Sequence, residues 1–555
     1  MHPTKNPLIF VLALQTSLLC APVYSFCGFY AGKADATLLN AASQVVVARD
    51  GNRTVLSMLN NYRGALSEFA LIVPTPVVLQ RGQVRVAERA VFEHLDAYSS
   101  PRLVEYNDSD PCRTEFTWGQ NLNPVFPSIP MAVASSMPAV TARDRALGVT
   151  VDARYTLEEY DIVSLSAKKS DGLEIWLREN GYRVPTGASA ALKPYINQGM
   201  KFFIAKINLK RQSNTGYTML RPLQFAFESG KFMLPMRLGM LNAPPDEAQD
   251  LIVYVLTRQG RVESSNYRTT RLPADVNLPA FIKPKFQDFY RAMFDTVSKR
   301  EDYRVAFTEY FWDMSWCDPC AAEPLSREEL LKSGVFWLDG DAEQRFKSLQ
   351  SATMPGSPRV TALGSGALPV MLTRLHIRYT PRTFPEDLIF IETNDQRNWQ
   401  ARYIVQNPYG GSVAECSEKV SMMDCATMCN ERVSAVRAAL GSKETIRQPP
   451  RATDDKLPSV TVQAFTNSLG AYRGKSTEAL QDECVATCRA SKAQGLDAAT
   501  HYYQRALPER IAAEKQTLAQ LTGWSLHDID VMPGAQRFSM ASPEGYSTWG
   551  SAGHP

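Results

Sequence analysis

The chain of 555 residues is poor in histidine, with six in all. Only His94, His376, His501 and His527 lie between the N-terminal segment and the tail beyond Pro533. It has no Gly-x-Ser-x-Gly elbow, no His-Glu-x-x-His helix and no Gly-x-Gly-x-x-Gly fingerprint. These gaps argue against a hydrolase or a histidine-rich metalloenzyme, although catalytic groups scattered in sequence still converge in some folds. An excess of one charge is also missing: 60 basic residues face 57 acidic ones, for a net charge of +3. That balance gives no reason to expect nucleic acid or an acidic membrane as partner. Beyond residue 25 no stretch is apolar and long enough to span a bilayer. The hydrophobic fraction of 44% is ordinary for a globular protein and excludes wholesale disorder.

What is present begins at the N-terminus. Lys5 precedes an apolar run from Leu8 to Cys20, and Val23 and Ser25 supply small residues before Phe26. This is the order of a cleaved secretory signal over residues 1–25. A membrane anchor would need about 20 apolar residues, and this run is interrupted at Gln15, Thr16 and Ser17. Leu19 and Phe26 are too large to precede a lipid-attached cysteine. The expectation is therefore a soluble mature protein in the periplasm or outside the cell, with no membrane span after cleavage and an unidentified partner, possible among envelope proteins.

An oxidising location changes the meaning of the cysteines. Ten are present, and those left after cleavage are Cys27, Cys112, Cys317, Cys320, Cys416, Cys425, Cys429, Cys484 and Cys488. In an exported chain they read first as disulfides. An odd number leaves one over.

The length predicts two or three packed units. Strand patterns dominate the first half: Ser43–Ala48 and Thr54–Leu59 flank an Asp-Gly turn, and Phe69–Val73 reads as a buried strand. An amphipathic helix follows, with His94 on its apolar side as a packed, hydrogen-bonded residue. Further strands are expected at Lys201–Leu209, Leu251–Thr257, Val370–Tyr379 and Arg402–Val405. A helix is expected near Lys285–Val297, and helical character prevails after Pro408. The resulting expectation is an α+β fold. It comprises a β-rich, sandwich-like domain at 26–245, a mixed α/β region at 246–411, a helical disulfide-stapled extension at 412–532, and a flexible tail at 533–555.

Several segments carry a family resemblance: Phe26-Cys27-Gly28-Phe29-Tyr30, VVVARDGNRTVLSMLNNYRG, FALIVPTP, LDAYSSPRLVEY, EEYDIVSLSAKKSDGLEIWLRENGYRVP, FTEYFWDMSWCDPC, LTRLHIRYTP and NWQARYIVQNP. Together, over about residues 26–410, the chain resembles the bacterial exported family of unknown function DUF2330. The resemblance implies export and brings no reaction, cofactor or catalytic residue with it.

Chemistry must then be sought in the residues. Trp316-Cys317-Asp318-Pro319-Cys320 has the C-x-x-C spacing of a thiol-disulfide oxidoreductase loop. In such a loop Cys317 at a helix N-terminus would be the attacking thiolate and Cys320 the resolving thiol. However, Ser326-Arg327-Glu328-Glu329 has the form of a fresh capping box, so a helix is expected to begin there and not at Cys317. DUF2330 is not a recognised thioredoxin family either, and a structural disulfide is the competing reading. Cys425/Cys429 and Cys484/Cys488 each place two sulfurs on one helix face. Antiparallel packing would pair Cys425 with Cys488 and Cys429 with Cys484; a four-thiolate zinc site is the alternative. By elimination Cys27 is assigned to Cys112, leaving Cys416 unpaired.

Arg374, His376 and Arg378 alternate along one strand and share a face. They suggest a weak anion site or, more simply, an ion-pair ladder with carboxylates of a neighbouring strand. Asp108 and Asp110 lack the spacing of a calcium loop, and Gly470 to Ser476 is one residue short of a phosphate loop. Met233, Met236 and Met240 suit a core better than a copper site. No cofactor and no metal is expected. The resulting functional expectation is a non-catalytic binding or structural protein of the cell envelope, with the Cys317/Cys320 oxidoreductase as the alternative.

Overall fold

Along the strands of the first half, apolar side chains occupy both faces, so each sheet must be covered on both sides. The computed structural model describes residues 29–32, 39–63, 69–113, 118, 144–145, 149–180, 182, 184–185, 187–208, 211, 220–242, 248–316, 323–339, 369–441 and 471–538. The fold is α+β. Its described helices, in chain order, are α1 (Arg89–Ser99), α2 (Ser170–Glu179), α3 (Ala188–Asn197), α4 (Phe286–Arg300), α5 (Arg327–Lys332), α6 (Val413–Ser421), α7 (Cys425–Gly441), α8 (Thr477–His501), α9 (Leu507–Thr522) and α10 (Leu526–Asp530). The chain divides into two compact units, each discontinuous in sequence. The first draws on residues 1–101, 131–272 and 298–401, the second on 102–130, 273–297 and 402–555.

The first unit holds two large sheets. One has six strands in the order β1 (Phe29–Gly32), β4 (Phe69–Thr75), β10 (Lys201–Ile207), β9 (Tyr160–Ala167), β8 (Val149–Leu157) and β7 (Asp144–Arg145), all antiparallel. The other has nine strands. Its path runs β15 (Arg268–Arg271), β17 (Val305–Asp313), β18 (Met371–Tyr379), β13 (Gln249–Thr257), β2 (Leu39–Asp50), β3 (Arg53–Arg63), β11 (Leu223–Glu228) and β5 (Val84–Val86), with β20 (Trp399–Gln400) also on β17. Strands from both sides of residue 245 therefore share this sheet. β13 runs parallel to β2, whereas β2 and β3 form a hairpin whose tight turn uses Gly51 at φ 57°. A small sheet of β12 (Met233–Leu234), β19 (Leu388–Glu392) and β14 (Val262–Ser264) completes the unit.

Alternation assigns each strand's side chains to two cores. Val45, Val47, Leu251 and Val253 of the larger sheet share a buried cluster with Leu71, Val73, Phe203 and Ala205 of the smaller. Their sequence neighbours Val46, Ala48, Tyr254 and Leu256 face the other way and pack with Phe92 and Leu95 of α1 and Leu330 of α5. On the smaller sheet, Ile72, Phe202 and Ile204 are covered by Leu173 and Leu177 of α2 and Leu192 and Tyr195 of α3. The unit is thus a sandwich of two sheets with helices on its two outer faces.

The second unit is built on a parallel sheet of β16 (Val276–Leu278), β21 (Arg402–Asn407) and β6 (Arg102–Asn107). Phe289 and Met293 of α4 pack on Tyr403 of β21. α8 continues into α9 through a π-helical turn, Tyr502–Ala506, and α9 ends at Gly523 with φ 72°. Among the described residues no helix is long and apolar enough to cross a membrane.

Candidate functional site

β18 enters the nine-stranded sheet between β13 and β17, so the face bearing Arg374 and His376 looks onto side chains from both neighbours. β17 carries a register shift between Thr308 and Tyr310. The residue inserted there is Glu309, with a fully buried side chain at 0% exposure. A bulge re-aims the side chain it carries, and here it delivers a carboxylate against two cations. Arg374 Nε donates to Glu309 Oε2 at 2.5 Å, and His376 Nδ1 lies 2.6 Å from Glu309 Oε1.

The cluster extends in both directions. Arg374 Nη1 donates to Asp96 of α1 at 2.7 Å, and the Tyr254 hydroxyl donates to the same carboxylate at 2.9 Å. His376 Nε2 stands 3.6 Å from Asp250 of β13, whose two oxygens each accept a 2.7 Å bond from Arg378. Three carboxylates, Asp96, Asp250 and Glu309, thus face two guanidiniums and one imidazole. The charges cancel only when His376 is the imidazolium. Burial works against that cation, but the Glu309 charge and the hydrogen bonds with Asp250 and Glu309 outweigh it, and the His376 pKa is raised. For Asp250 burial favours the acid, but hydrogen bonds from His376 and Arg378 prevail and lower its pKa.

Arg374, His376 and Arg378 therefore share a face and meet carboxylates from the flanking strands, as an ion-pair ladder requires. Glu309, Asp250 and Asp96 are the members that sequence reading missed. For Glu309 the available signal was a charge in the middle of the apolar run of β17, VAFTEYFWD.

The other candidates lie elsewhere. Cys317 and Cys320, together with Cys27, fall outside the described residues. β17 leads towards the C-x-x-C segment, and Trp316, just before it, is 67% exposed. Downstream, Ser326 caps α5 with the full capping box that its Ser-x-x-Glu pattern predicts. His94 of α1 is partly buried, with Nδ1 2.8 Å from Glu329 and Nε2 2.6 Å from the Glu323 carbonyl.

In the second unit Cys425 is bonded to Cys488 and Cys429 to Cys484, joining α7 to an antiparallel α8. Leu480, Val433 and Trp118 surround these sulfurs. The expected Cys27–Cys112 pair with Cys416 left over is corrected: Cys112 is bonded to Cys416. The reason lies in the parallel pairing of β6 with β21, which brings both chain ends out side by side. The turn after Asn107 then places Cys112 against the start of α6, where Cys416 is buried. Asp108, beside that turn, accepts two bonds from Arg510 at 2.9 and 2.8 Å and one from the Tyr502 hydroxyl, and Asp110 pairs with Lys419 at 2.5 Å. Both carboxylates are thus engaged by cations of their own chain, and among the described residues no group of three His, Cys, Asp or Glu could hold a metal ion. Ser476 of the near-miss phosphate loop is the N-cap of α8, accepting from Ala479 N–H at 3.0 Å. Met236 is a core residue, Met240 packs beside it and Met233 against the outer cluster.

No curated protein matches the chain, and no solved structure does. The model of a family described as an uncharacterized protein conserved in bacteria, DUF2330, matches residues 21–391. The chain belongs to the DUF2330 family.

Proposed function

We propose that this is an exported protein of the bacterial cell envelope, periplasmic or extracellular, that acts as a non-catalytic binding or structural component. The observation that carries this reading is the set of three buried disulfides in the second unit. Such bonds form and persist in oxidising compartments and are rare in the cytosol. The N-terminal charge, apolar run and small residues before Phe26 support the same address. Support for a non-catalytic role comes from the cluster around Glu309, whose carboxylates and cations are engaged with one another in a ladder buried at Glu309, His376 and Asp250. A group held in that way stabilises or orients its neighbours and is poorly placed to meet a substrate.

The test is fractionation of the native host followed by N-terminal sequencing of the mature chain. Recovery outside the cytoplasm with Phe26 first is the expected result; a full-length cytoplasmic chain with free thiols would overturn the proposal.

One observation favours a second reading. Trp316 is exposed beside Cys317, where a thiol-disulfide oxidoreductase would present its active-site loop. The reduction potential of the Cys317/Cys320 pair separates the readings: a passive staple lies below about −300 mV and a redox-active pair well above it.

A further inference from the structure

The capping box of α5 uses only one side of the Glu329 carboxylate. Oε2 accepts the Ser326 N–H at 2.8 Å and the Ser326 hydroxyl at 2.7 Å. Oε1 faces His94 Nδ1 at 2.8 Å, and the other ring nitrogen of His94 faces the Glu323 carbonyl at 2.6 Å. A carbonyl oxygen only accepts hydrogen bonds, and so does an ionised carboxylate. A neutral imidazole carries a single N–H, so only the imidazolium donates to both.

We propose that His94 is a protonation-dependent clip, fastening the N-terminal part of the 323–339 segment to α1 while the ring is protonated and releasing it as the pH rises and the ring loses its proton. Burial opposes the charged ring, but the hydrogen bonds and charges of Glu329 and Glu323 outweigh it and raise its pKa above 6.5. The sign follows from linkage. A raised histidine pKa contributes stability that is complete below its unfolded value and is lost as pH climbs through the folded one. Glu329 shifts the other way: burial favours the acid, His94 and Ser326 prevail, and its pKa is lowered from 4.5. Its contribution is lost only as pH falls through that lowered value, so the clip is strongest between the two transitions.

The charged groups facing the ring are Glu329 of α5 and Glu323 in the stretch before it. On α1 itself Glu93 is held by Arg89 at 2.9 Å. The far end of α5 is fastened differently. Lys332 bridges Glu88 at 3.1 Å and Glu328 at 2.9 Å, and Arg85 donates to the Leu331 and Lys332 carbonyls at 3.2 and 3.1 Å. These cations keep their charge throughout the histidine range, so release is confined to the first part of the segment.

Hydrogen exchange at pH 5.5 and pH 8.5, corrected for intrinsic rates, tests this on the full chain, together with a ring-carbon titration of His94 by NMR. Protection of the Glu329 and Leu330 amides should fall by about tenfold at the higher pH, the size of one charge-assisted hydrogen bond, while Gly334 and Val335 stay unchanged. In His94→Asn the low protection should already be present at pH 5.5. Equal protection of the wild-type amides at both pH values, or a His94 titration at or below the ordinary imidazole value, would overturn the clip. So would a pH dependence that survives in His94→Asn. The two wild-type readouts decide the question even where the variant does not fold.

Discussion

Glu309 stands in a fully buried position with Arg374 on one oxygen and His376 on the other. Replacing it by alanine removes the carboxylate nearest to both cations and leaves Arg374 with Asp96 and His376 with Asp250 alone, and removal of one partner of a buried pair costs about 3–5 kcal/mol. Urea unfolding of Glu309→Ala should show a loss of that size, and Glu309→Gln, which keeps the shape and some of the hydrogen bonding, a smaller one. The same cluster sets a pH dependence. Because the His376 pKa is raised above 6.5, its contribution is complete below 6.5 and lost as pH rises through the folded value. The stability gap between wild type and His376→Asn should therefore narrow from pH 6 to alkaline pH; a gap that widens would contradict this charge assignment. Asp250, with its pKa lowered from 3.8, weakens the cluster only as acid takes the pH down through that lowered value. His376 was visible in the sequence as part of an alternating basic strand. Glu309 was visible only as a charge within the apolar run VAFTEYFWD; the bulge that turns it towards Arg374 and His376 depends on how two distant strands pair and leaves no local mark.

At the scale of elements, the Cys-x3-Cys repeats are legible because a helix turns periodic spacing into a face. Two such faces packed antiparallel pair the first sulfur of one with the last of the other, as Cys425–Cys488 and Cys429–Cys484 do. Cys112–Cys416 has no such pattern, since its partners are separated by 304 positions and meet only through the β6–β21 pairing. Replacing Cys429 and Cys484 together by serine should cost about 2–4 kcal/mol, read as a lowered midpoint in thermal unfolding. The loss should be smaller than the sum for both staples, because Cys425–Cys488 still closes the same pair of helices. Gly334, just after α5, adds a backbone constraint. It adopts φ 100°, and a Cβ there would come within 2.4 Å of Val55 Cγ1. Gly334→Ala should destabilise by about 1–3 kcal/mol through strain and overpacking, measured by chemical denaturation.

At the scale of the molecule, the three described disulfides all belong to the second unit. Reduction should therefore weaken the second unit: in calorimetry with dithiothreitol, its transition moves to lower temperature. The interleaving of the units also has a consequence for the order of events in time. β2 waits for β13 to lie parallel beside it, and β6 has no sheet until β21 arrives, with Arg102 opposite Arg402. A nascent chain can close its early hairpins, but neither unit has all its strands until residue 400 or later has been made. Pairings so distant in sequence fold slowly. For a chain exported as proposed here, that delay is useful: a polypeptide unable to finish folding while it is being synthesised remains threadable through a translocation pore, and its topology would act as a timer.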